Sequence, residues 1–333
     1  MSDPAQSRSY RFLALIFLSG IGFSCQALLI KHLYAAYDFS SSSQVVFFRG
    51  LLQCLVSLLL VRRELAKPLT LPSLFGADRS TAAILFLRAS LGYVGIAGVF
   101  YALRFIPMGD STTLLMMSTV WSALLARLFL GEPLSAHALV AIPAAFAGLL
   151  LIVQPSFVFG GAAALDPRGV FAALLGSFGA AGAYVCVRML GTTNKMYWAA
   201  VTFNQGLGQA VYSVPMLFAF GQSFVMSFEI VGFCLAIASV GCLSQACMTI
   251  GMQREKSALA SVMRMSDILA SFVFQITLTD EKANAITLGG AALIVVGVLI
   301  VLRGKQVEGR AADKGDELPL VEIKKLNEEE APR

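Results

Sequence analysis

The chain has 333 residues, of which 57% are hydrophobic and only 14% are charged, and its formal net charge is +5. Soluble domains carry roughly 25% charged residues, so this composition excludes a soluble globular protein and predicts an integral membrane protein. The positive charge does not indicate a nucleic-acid-binding protein, because the basic residues sort between the two sides of the predicted membrane segments.

Ten apolar segments have about the 20-residue length that a helix needs to cross the hydrocarbon core. In chain order they are 11–35, 43–61, 81–103, 109–130, 136–154, 169–189, 197–219, 227–250, 257–279 and 286–302. The sequence therefore predicts an all-α polytopic membrane protein with ten transmembrane helices. Residues 1–10 form a short N-terminal segment, and residues 304–333 form a charged tail that we expect to be disordered.

The second half of the chain repeats the first at an offset of 149 residues. Pairs with this spacing are Met116/Met265, Ser122/Ser271, Glu132/Glu281 and Gly148/Gly297. The predicted repeats cover 11–155 and 165–303, with five spans in each. Because five is odd, the copies enter the membrane from opposite sides and form two inverted five-helix repeats. This arrangement is typical of secondary transporters, in which two alternating gates enclose one central site.

The basic residues outside the spans favour a cytoplasmic location for both chain ends. With a cytoplasmic N-terminus, 11 Lys and Arg residues lie on that side and 4 on the other, before the 7 basic residues of the tail are added. This distribution follows the positive-inside rule. The sequence leaves open whether the membrane is the plasma membrane or an endomembrane. It also leaves open the oligomeric state, a homodimer included.

Four charged side chains lie deep inside predicted spans, where insertion of each costs about 2.5–3.5 kcal/mol. They are Arg49, Arg88, Arg264 and Asp267, while Asp110 stands near the start of the fourth span. Three bases against one deep acid leave an excess of about two positive charges, which is costly unless a ligand or counter-ion completes it. The excess predicts an anionic substrate.

The roles of these side chains stay open in part. Arg264 and Asp267 share a helix face, because they are three residues apart. They form either a self-neutralising structural pair or an anion contact at Arg264, in which Asp267 orients the guanidinium or takes a proton during transport. Arg49 either lines the pathway or is held by backbone carbonyls or an aromatic ring. Arg88 either joins the site or extends towards the cytoplasmic end of its span.

Uncharged side chains complete the predicted site. They are Ser118, which the repeat offset sets opposite Asp267, and Asn204, Gln205, Gln245, Tyr101 and Trp121. Asn204 is the approximate counterpart of Arg49 in the second repeat. Buried amides need hydrogen-bond partners, which come from the substrate or from neighbouring helices. The two aromatic side chains either wall a cavity or pack against other helices.

Signatures of enzymes and of bound cofactors are absent from the sequence. The two histidines, His32 and His137, stand near span ends, and the six cysteines show no zinc-ligand spacing. There is also no P-loop. We therefore predict no catalytic residue, no metal, no cofactor and no nucleic-acid partner. The predicted partners are the lipid bilayer and a small anionic solute, with a proton or a counter-substrate for coupling.

Several motifs resemble those of the drug/metabolite transporter superfamily with two EamA-type repeats. The first repeat carries Tyr101-Ala-Leu-Arg-Phe-Ile-Pro-Met-Gly-Asp and Leu128-Phe-Leu-Gly-Glu-Pro, and the second carries Met265-Ser-Asp and Leu278-Thr-Asp-Glu. Within the superfamily, Leu87-Arg-Ala-Ser-Leu-Gly and Asp267-Ile-Leu-Ala-Ser-Phe are most similar to solute carrier family 35, subgroup G. The resemblance covers about residues 10–303. It implies ten helices, cytoplasmic termini, a central cavity and a basic residue at the position of Arg264.

The residues and the resemblance together predict a secondary active transporter or exchanger of small organic anions, with di- and tricarboxylates favoured. Arg49 and Arg264 would bind carboxylates, Asp267 would position Arg264 or couple a proton, and the amides would supply hydrogen bonds. Three other functions remain open. They are an exporter of amino acids or drug-like metabolites, a nucleotide-sugar carrier of the same fold, and a membrane scaffold that does not transport.

Overall fold

The computed structural model describes residues 4–37, 41–65, 70–102, 105–106, 114–131, 136–153, 166–255 and 257–264, and beyond these residues 267, 270, 286, 289–290, 292–297, 299–300 and 303. All regular secondary structure in this part of the chain is α-helical, which confirms the predicted all-α class. The helices are α1 (Pro4–Tyr37), α2 (Ser42–Leu65), α3 (Leu71–Phe75), α4 (Arg79–Ala102), α5 (Ser118–Leu130), α6 (Ala136–Val153), α7 (Pro167–Thr192), α8 (Trp198–Ala219), α9 (Phe228–Arg254) and α10 (Ser257–Arg264).

Five stretches of these helices are long and apolar enough to cross a membrane. They are Tyr10–Ile30, Ser42–Arg63, Arg79–Val99, Pro167–Thr192 and Phe228–Arg254. The helix α8 carries no charged residue but contains the polar residues Asn204, Gln205 and Gln209. The chain is therefore a polytopic integral membrane protein. Parts of the predicted fourth, ninth and tenth spans, together with the tail 304–333, lie outside the described residues.

Two helix features differ from the sequence prediction. The helix α1 begins at Pro4 rather than near residue 11, because proline suits the first turn of a helix and no helix-breaking residue follows it before the apolar run. The short helix α3 lies between the second and third predicted spans. The Thr70 backbone N–H donates to the Ser73 hydroxyl (3.3 Å) at its start, and Gly76 ends it with a φ of 89°.

The principal helix contacts join the first half of the chain to the second. The helix α4 packs along α7, α2 packs against α8, and α1 packs along α9. Small residues permit these approaches, because a Cβ added at Gly98 would lie 2.8 Å from the Cα of Gly176, and one added at Gly179 would lie 2.8 Å from the Leu91 carbonyl oxygen. Among the described helices, the core therefore lies mainly between the two halves.

Hydrogen bonds tie the helices together at both ends of the bundle. At the end that holds α3, Asp78 caps α4 through Thr81, and the Asn194 amide donates to the Thr81 hydroxyl (2.7 Å). Hydrogen bonds from the Thr81 side chain and backbone lower the pKa of the Asp78 carboxyl. At the opposite end, the Gln44 side chain and the Val225 backbone exchange two hydrogen bonds of 2.6 and 2.8 Å. The polar residues described next lie between these two ends.

Candidate functional site

Two arginine side chains from different halves of the chain approach one aromatic ring. The Cζ atom of Arg49 on α2 lies 5.7 Å from the ring centroid of Phe23, and the Cζ atom of Arg264 lies 4.8 Å from the same centroid. Arg264 also lies 5.7 Å from the ring of Tyr184 on α7. These distances are within the range of cation–π attraction. The structure thus brings together two of the predicted site residues around Phe23, a residue of the first span.

Arg49 is almost fully buried, with 4% of its surface exposed. Its Nη2 atom donates to the Gln245 side-chain oxygen (3.3 Å), and the Gln245 amide in turn donates to the Thr249 hydroxyl (3.3 Å). A Cβ at Gly241 would lie 3.1 Å from the Arg49 Nε atom, so a glycine at this point of α9 leaves room for the guanidinium. Among the described residues, Nε has no hydrogen-bond partner.

Arg88 on α4 is buried to a similar degree, with 2% of its surface exposed. Its Nη1 atom donates to the Gln205 side-chain oxygen on α8, and its Nε atom finds no partner within the described part of the chain. The positive charges of Arg88 and Arg264 both repel the positive charge of Arg49. All three arginines therefore belong to one electrostatic unit.

Asp267 is the acid of this unit. Its carboxylate lies 3.5 Å from the Nη2 atom of Arg264, and it also accepts a hydrogen bond from the Ser24 hydroxyl of α1. The Nη1 atom of Arg264 points at the sulfur of Met248 (3.0 Å). The Arg264 and Asp267 side chains are 12% and 18% exposed, so they are more accessible than Arg49 and Arg88. We refer to the set as the polar centre, and its members are Phe23, Arg49, Arg88, Gln205, Gln245, Arg264 and Asp267.

Two of the other predicted site residues, Asn204 and Tyr101, contact residues outside the polar centre. The Asn204 amide donates to the Leu74 carbonyl of α3 (2.7 Å) and to the Ala200 carbonyl (2.9 Å), so it holds the short helix rather than an arginine. Tyr101 packs against Phe105 and Phe220 at the end of the bundle opposite α3.

The two predicted residues of α5 lie near its start. Trp121 meets the ring of Phe178 on α7 edge-on, at a centroid distance of 6.0 Å, and Phe178 is 44% exposed on the outer surface. Ser118 is buried in the first turn of the same helix. The indole of Trp121 therefore contacts a helix at the periphery of the bundle.

The structure also identifies the counterpart of Arg49 in the second half. A Cβ at Gly50 would lie 2.7 Å from the Gly206 carbonyl oxygen, and one at Gly206 would lie 2.9 Å from that of Gly50. These glycines occupy equivalent positions in α2 and α8, so the residues before them, Arg49 and Gln205, correspond. Asn204, the counterpart expected from the sequence, is one position off. The offset is 156 residues here because the connecting loops differ in length, and Gln53/Gln209 and Ser57/Ser213 share it.

One member of the polar centre and two of its neighbours that the sequence analysis did not predict have particular bearing on the site. They are Phe23, Ser24 and Tyr184. Ser24 carries a sequence signal, since it is a polar residue in the middle of the first apolar span. Phe23 and Tyr184 carry none, because aromatic residues in a membrane helix usually pack against other helices or lipid. Only the folded arrangement sets their rings beside guanidinium groups.

Comparison with known proteins finds a transporter family and individual transporters that are similar to this chain. The model of the EamA-like transporter family matches residues 11–154 and again residues 167–303. Solute carrier family 35 member G1 of Mus musculus is 28% identical over 291 residues, covering 84% of this chain and 74% of the relative. The pseudopaline exporter CntI of Pseudomonas aeruginosa is 26% identical over 294 residues, covering 88% of this chain and 96% of the exporter.

A protein of known crystal structure has the same fold. The two structures superpose with a TM-score of 0.67, over 87% of this chain and 96% of the other, at 17% sequence identity. At an identity this low, the similarity shows a shared fold and nothing about function. The family match is much more specific, since it covers both halves of the chain. The chain belongs to the EamA-like transporter family, within the drug/metabolite transporter superfamily.

Proposed function

We propose that this protein is a secondary active transporter or exchanger of small organic anions, with di- and tricarboxylates preferred. The observation that carries the proposal is the charge of the polar centre. The charges of Arg88 and Arg264 both act on the buried Arg49 there, while Asp267 is the one acid in the set. Buried charge without a partner is costly, so an anion that enters this space stabilises it.

Electrostatic repulsion inside the polar centre supports the same conclusion. Arg49 and Arg264 both lie beside the Phe23 ring, so their Cζ atoms are no more than about 10.5 Å apart. At an effective dielectric constant of about 20, two positive charges at that separation repel by roughly 1.5 kcal/mol. A carboxylate group placed at either guanidinium offsets this repulsion. Guanidinium groups suit the task, because their planar set of donors matches the two oxygens of a carboxylate.

The remaining members of the polar centre have supporting roles in this proposal. Gln245 and Gln205 hold the guanidinium groups of Arg49 and Arg88 through single hydrogen bonds. Each of these arginines keeps donors for a substrate oxygen. Asp267 shares Arg264 with the substrate, so it either orients that guanidinium or accepts a proton when the substrate arrives.

We also propose ten spans in two inverted five-helix repeats, with both chain ends on the cytoplasmic side. The helix contacts support this arrangement, because exchanging the halves maps the α1–α9 contact onto the α7–α4 contact and the α2–α8 contact onto itself. Equivalent glycines lie at these contacts: a Cβ at Gly22 would meet Ser244, and one at Gly179 would meet Gly95. Alternating access would then consist of opening one set of contacts while the equivalent set closes.

The family allows other solutes, and the CntI exporter suggests export of a metabolite as the second candidate. A nucleotide-sugar carrier and a scaffold without transport are the further alternatives. We expect labelled succinate and citrate to show counterflow in proteoliposomes that contain the purified protein. Unlabelled dicarboxylates should compete, whereas amino acids and nucleotide sugars should not. The anion proposal fails if no carboxylate competes, or if Arg264→Ala leaves carboxylate binding and counterflow unchanged.

A further inference from the structure

We infer that Phe23 is the specificity-determining residue of this site, where it sets the span between two guanidinium groups that hold one dicarboxylate. The inference rests on the proposed function, because it concerns the same anion. It adds a limit on the distance between the two carboxylates of the substrate. It also assigns that limit to an apolar residue which binds neither of them.

The geometry around the ring supplies the limit. Arg49 and Arg264 lie 5.7 and 4.8 Å from the Phe23 centroid, so their Cζ atoms cannot be more than about 10.5 Å apart. In the inferred complex a single anion lies between the two guanidinium groups. Its two carboxylate carbons are therefore separated by no more than about this distance.

Chain length converts this limit into a choice between substrates. Each C–C bond of about 1.5 Å advances an extended chain by about 1.25 Å. Extended suberate therefore separates its carboxylate carbons by about 9 Å and extended sebacate by about 11 Å. Sebacate would have to fold back to reach both arginines, which costs conformational entropy. In a guanidinium–carboxylate pair each carboxylate carbon lies about 4 Å from its Cζ atom, so succinate and adipate match the span better than suberate.

The position of Phe23 is fixed by its surroundings, as a spacer must be. Its neighbour Gly22 faces Ser244 of α9 so closely that a methyl group at Gly22 would collide with the Ser244 hydroxyl. The Phe23 ring itself packs against the buried cluster that contains Ile16 and Met248. The α1 backbone and the ring therefore cannot shift independently of α9.

The second half of the chain has neither an aromatic residue equivalent to Phe23 nor an arginine equivalent to Arg49. Gly179 is the equivalent of Gly22, so Ala180 stands where Phe23 stands in the first half. Gln205 corresponds in the same way to Arg49. Within the described part of the chain, the two-point site therefore occurs once, and it depends on a ring that Ala180 does not supply.

The test measures dissociation constants of the purified full-length protein for butyrate, succinate, adipate, suberate, sebacate and citrate. We expect the best of the three shorter dicarboxylates to bind at least about tenfold more tightly than butyrate or sebacate. In Phe23→Leu the span is no longer held, and the preference over sebacate should fall below about threefold. Phe23→Tyr keeps the ring and should keep the wild-type preference. Phe12→Leu is the matched control, because Phe12 lies on the same helix under the exposed Arg254.

Each outcome bears on a different statement. If neither these acids nor citrate binds, the proposed function itself fails, and if citrate alone binds, only the inference about a dicarboxylate is wrong. If the acids bind but wild-type protein holds sebacate as tightly as the shorter dicarboxylates, the inference about the span is wrong and the anion site stands. The inference is equally wrong if Phe23→Leu keeps the wild-type preference. Should Phe23→Leu fail to fold, Phe23→Met replaces it, and the wild-type chain-length series alone can still overturn the inference.

Discussion

Gly50 and Gly206 face each other where α2 crosses α8, and neither position has room for a methyl group. A Cβ on either glycine would come within 3 Å of the carbonyl oxygen of the other, which is backbone that cannot rotate away. Arg49 and Gln205 stand directly before these glycines in sequence. The crossing therefore fixes the separation of two side chains of the polar centre.

Gly206→Ala should destabilise the protein by about 1–3 kcal/mol, because α2 and α8 must separate to accept the methyl group. Thermal unfolding in detergent measures the change. The matched control is Gly232→Ala on α9, where nothing lies within 4 Å of the added carbon. That control should be neutral or stabilising by up to about 1 kcal/mol, since alanine is the better helix former. Equal midpoints of thermal unfolding for the two variants would contradict the close approach of α2 and α8 at Gly206.

Arg264→Ala should raise the dissociation constant for succinate at least tenfold, because a charge-assisted hydrogen bond contributes about 1.5–3 kcal/mol. Arg264→Lys keeps the charge but loses the planar set of donors, so an intermediate loss is expected. Arg254→Ala is the control, since Arg254 also lies over an aromatic ring (6.0 Å) but is exposed at the end of α9. Similar losses in Arg254→Ala and Arg264→Ala would show a general charge effect.

Asp267→Asn should tighten succinate binding about two- to fivefold. The wild-type carboxylate competes with the substrate for Arg264, and a partly exposed pair at 3.5 Å is worth less than about 1 kcal/mol. Asparagine keeps an oxygen that can accept from the Ser24 hydroxyl, so the local packing should persist. Asp166→Asn, at the start of α7 and outside the polar centre, should leave the dissociation constant unchanged. Weaker binding in Asp267→Asn would indicate that Asp267 positions Arg264 rather than competing for it.

Substitutions of two adjacent amide residues of α8 should have different effects, one on stability and the other on substrate binding. Asn204→Leu leaves the Leu74 carbonyl of α3 without its donor, so unfolding should become easier by about 1–3 kcal/mol. Gln205→Leu releases the Arg88 guanidinium and should mainly weaken succinate binding. Thermal unfolding and succinate titration of both variants separate the two effects. If Asn204→Leu weakens binding as strongly as Gln205→Leu, the assignment of Asn204 to α3 is incomplete.

The positions of most helices could be predicted from the lengths of the apolar segments, because a helix that crosses lipid must be apolar along its length. The predicted spans 197–219 and 227–250 nearly coincide with α8 and α9. The extension of α1 to Pro4 and the presence of α3 could not be read in this way. Both are short polar or mixed segments, and their helical state depends on local capping and on contacts such as Asn204 with Leu74.

The polar centre was predictable through its charged and amide members. A buried arginine is costly in a membrane and therefore stands out in sequence, as Arg49, Arg88 and Arg264 do. Phe23 does not stand out, because its role depends on two side chains that are 26 and 241 residues away in sequence. The correspondence of Arg49 with Gln205 also required the glycine crossing, since the repeat offset changes from 149 to 156 between helices.

The unequal pairs Arg49/Gln205 and Phe23/Ala180 have a kinetic consequence in an exchanger with two alternating gates. The overall driving force depends only on the concentrations of the solutes and coupled ions and on the membrane potential, so these differences cannot turn the protein into a pump. They do change which side chains a solute contacts first when it enters from each face of the membrane. Half-saturation concentrations measured on the two faces should therefore differ, and right-side-out and inside-out vesicles of the same protein should report different values for one solute.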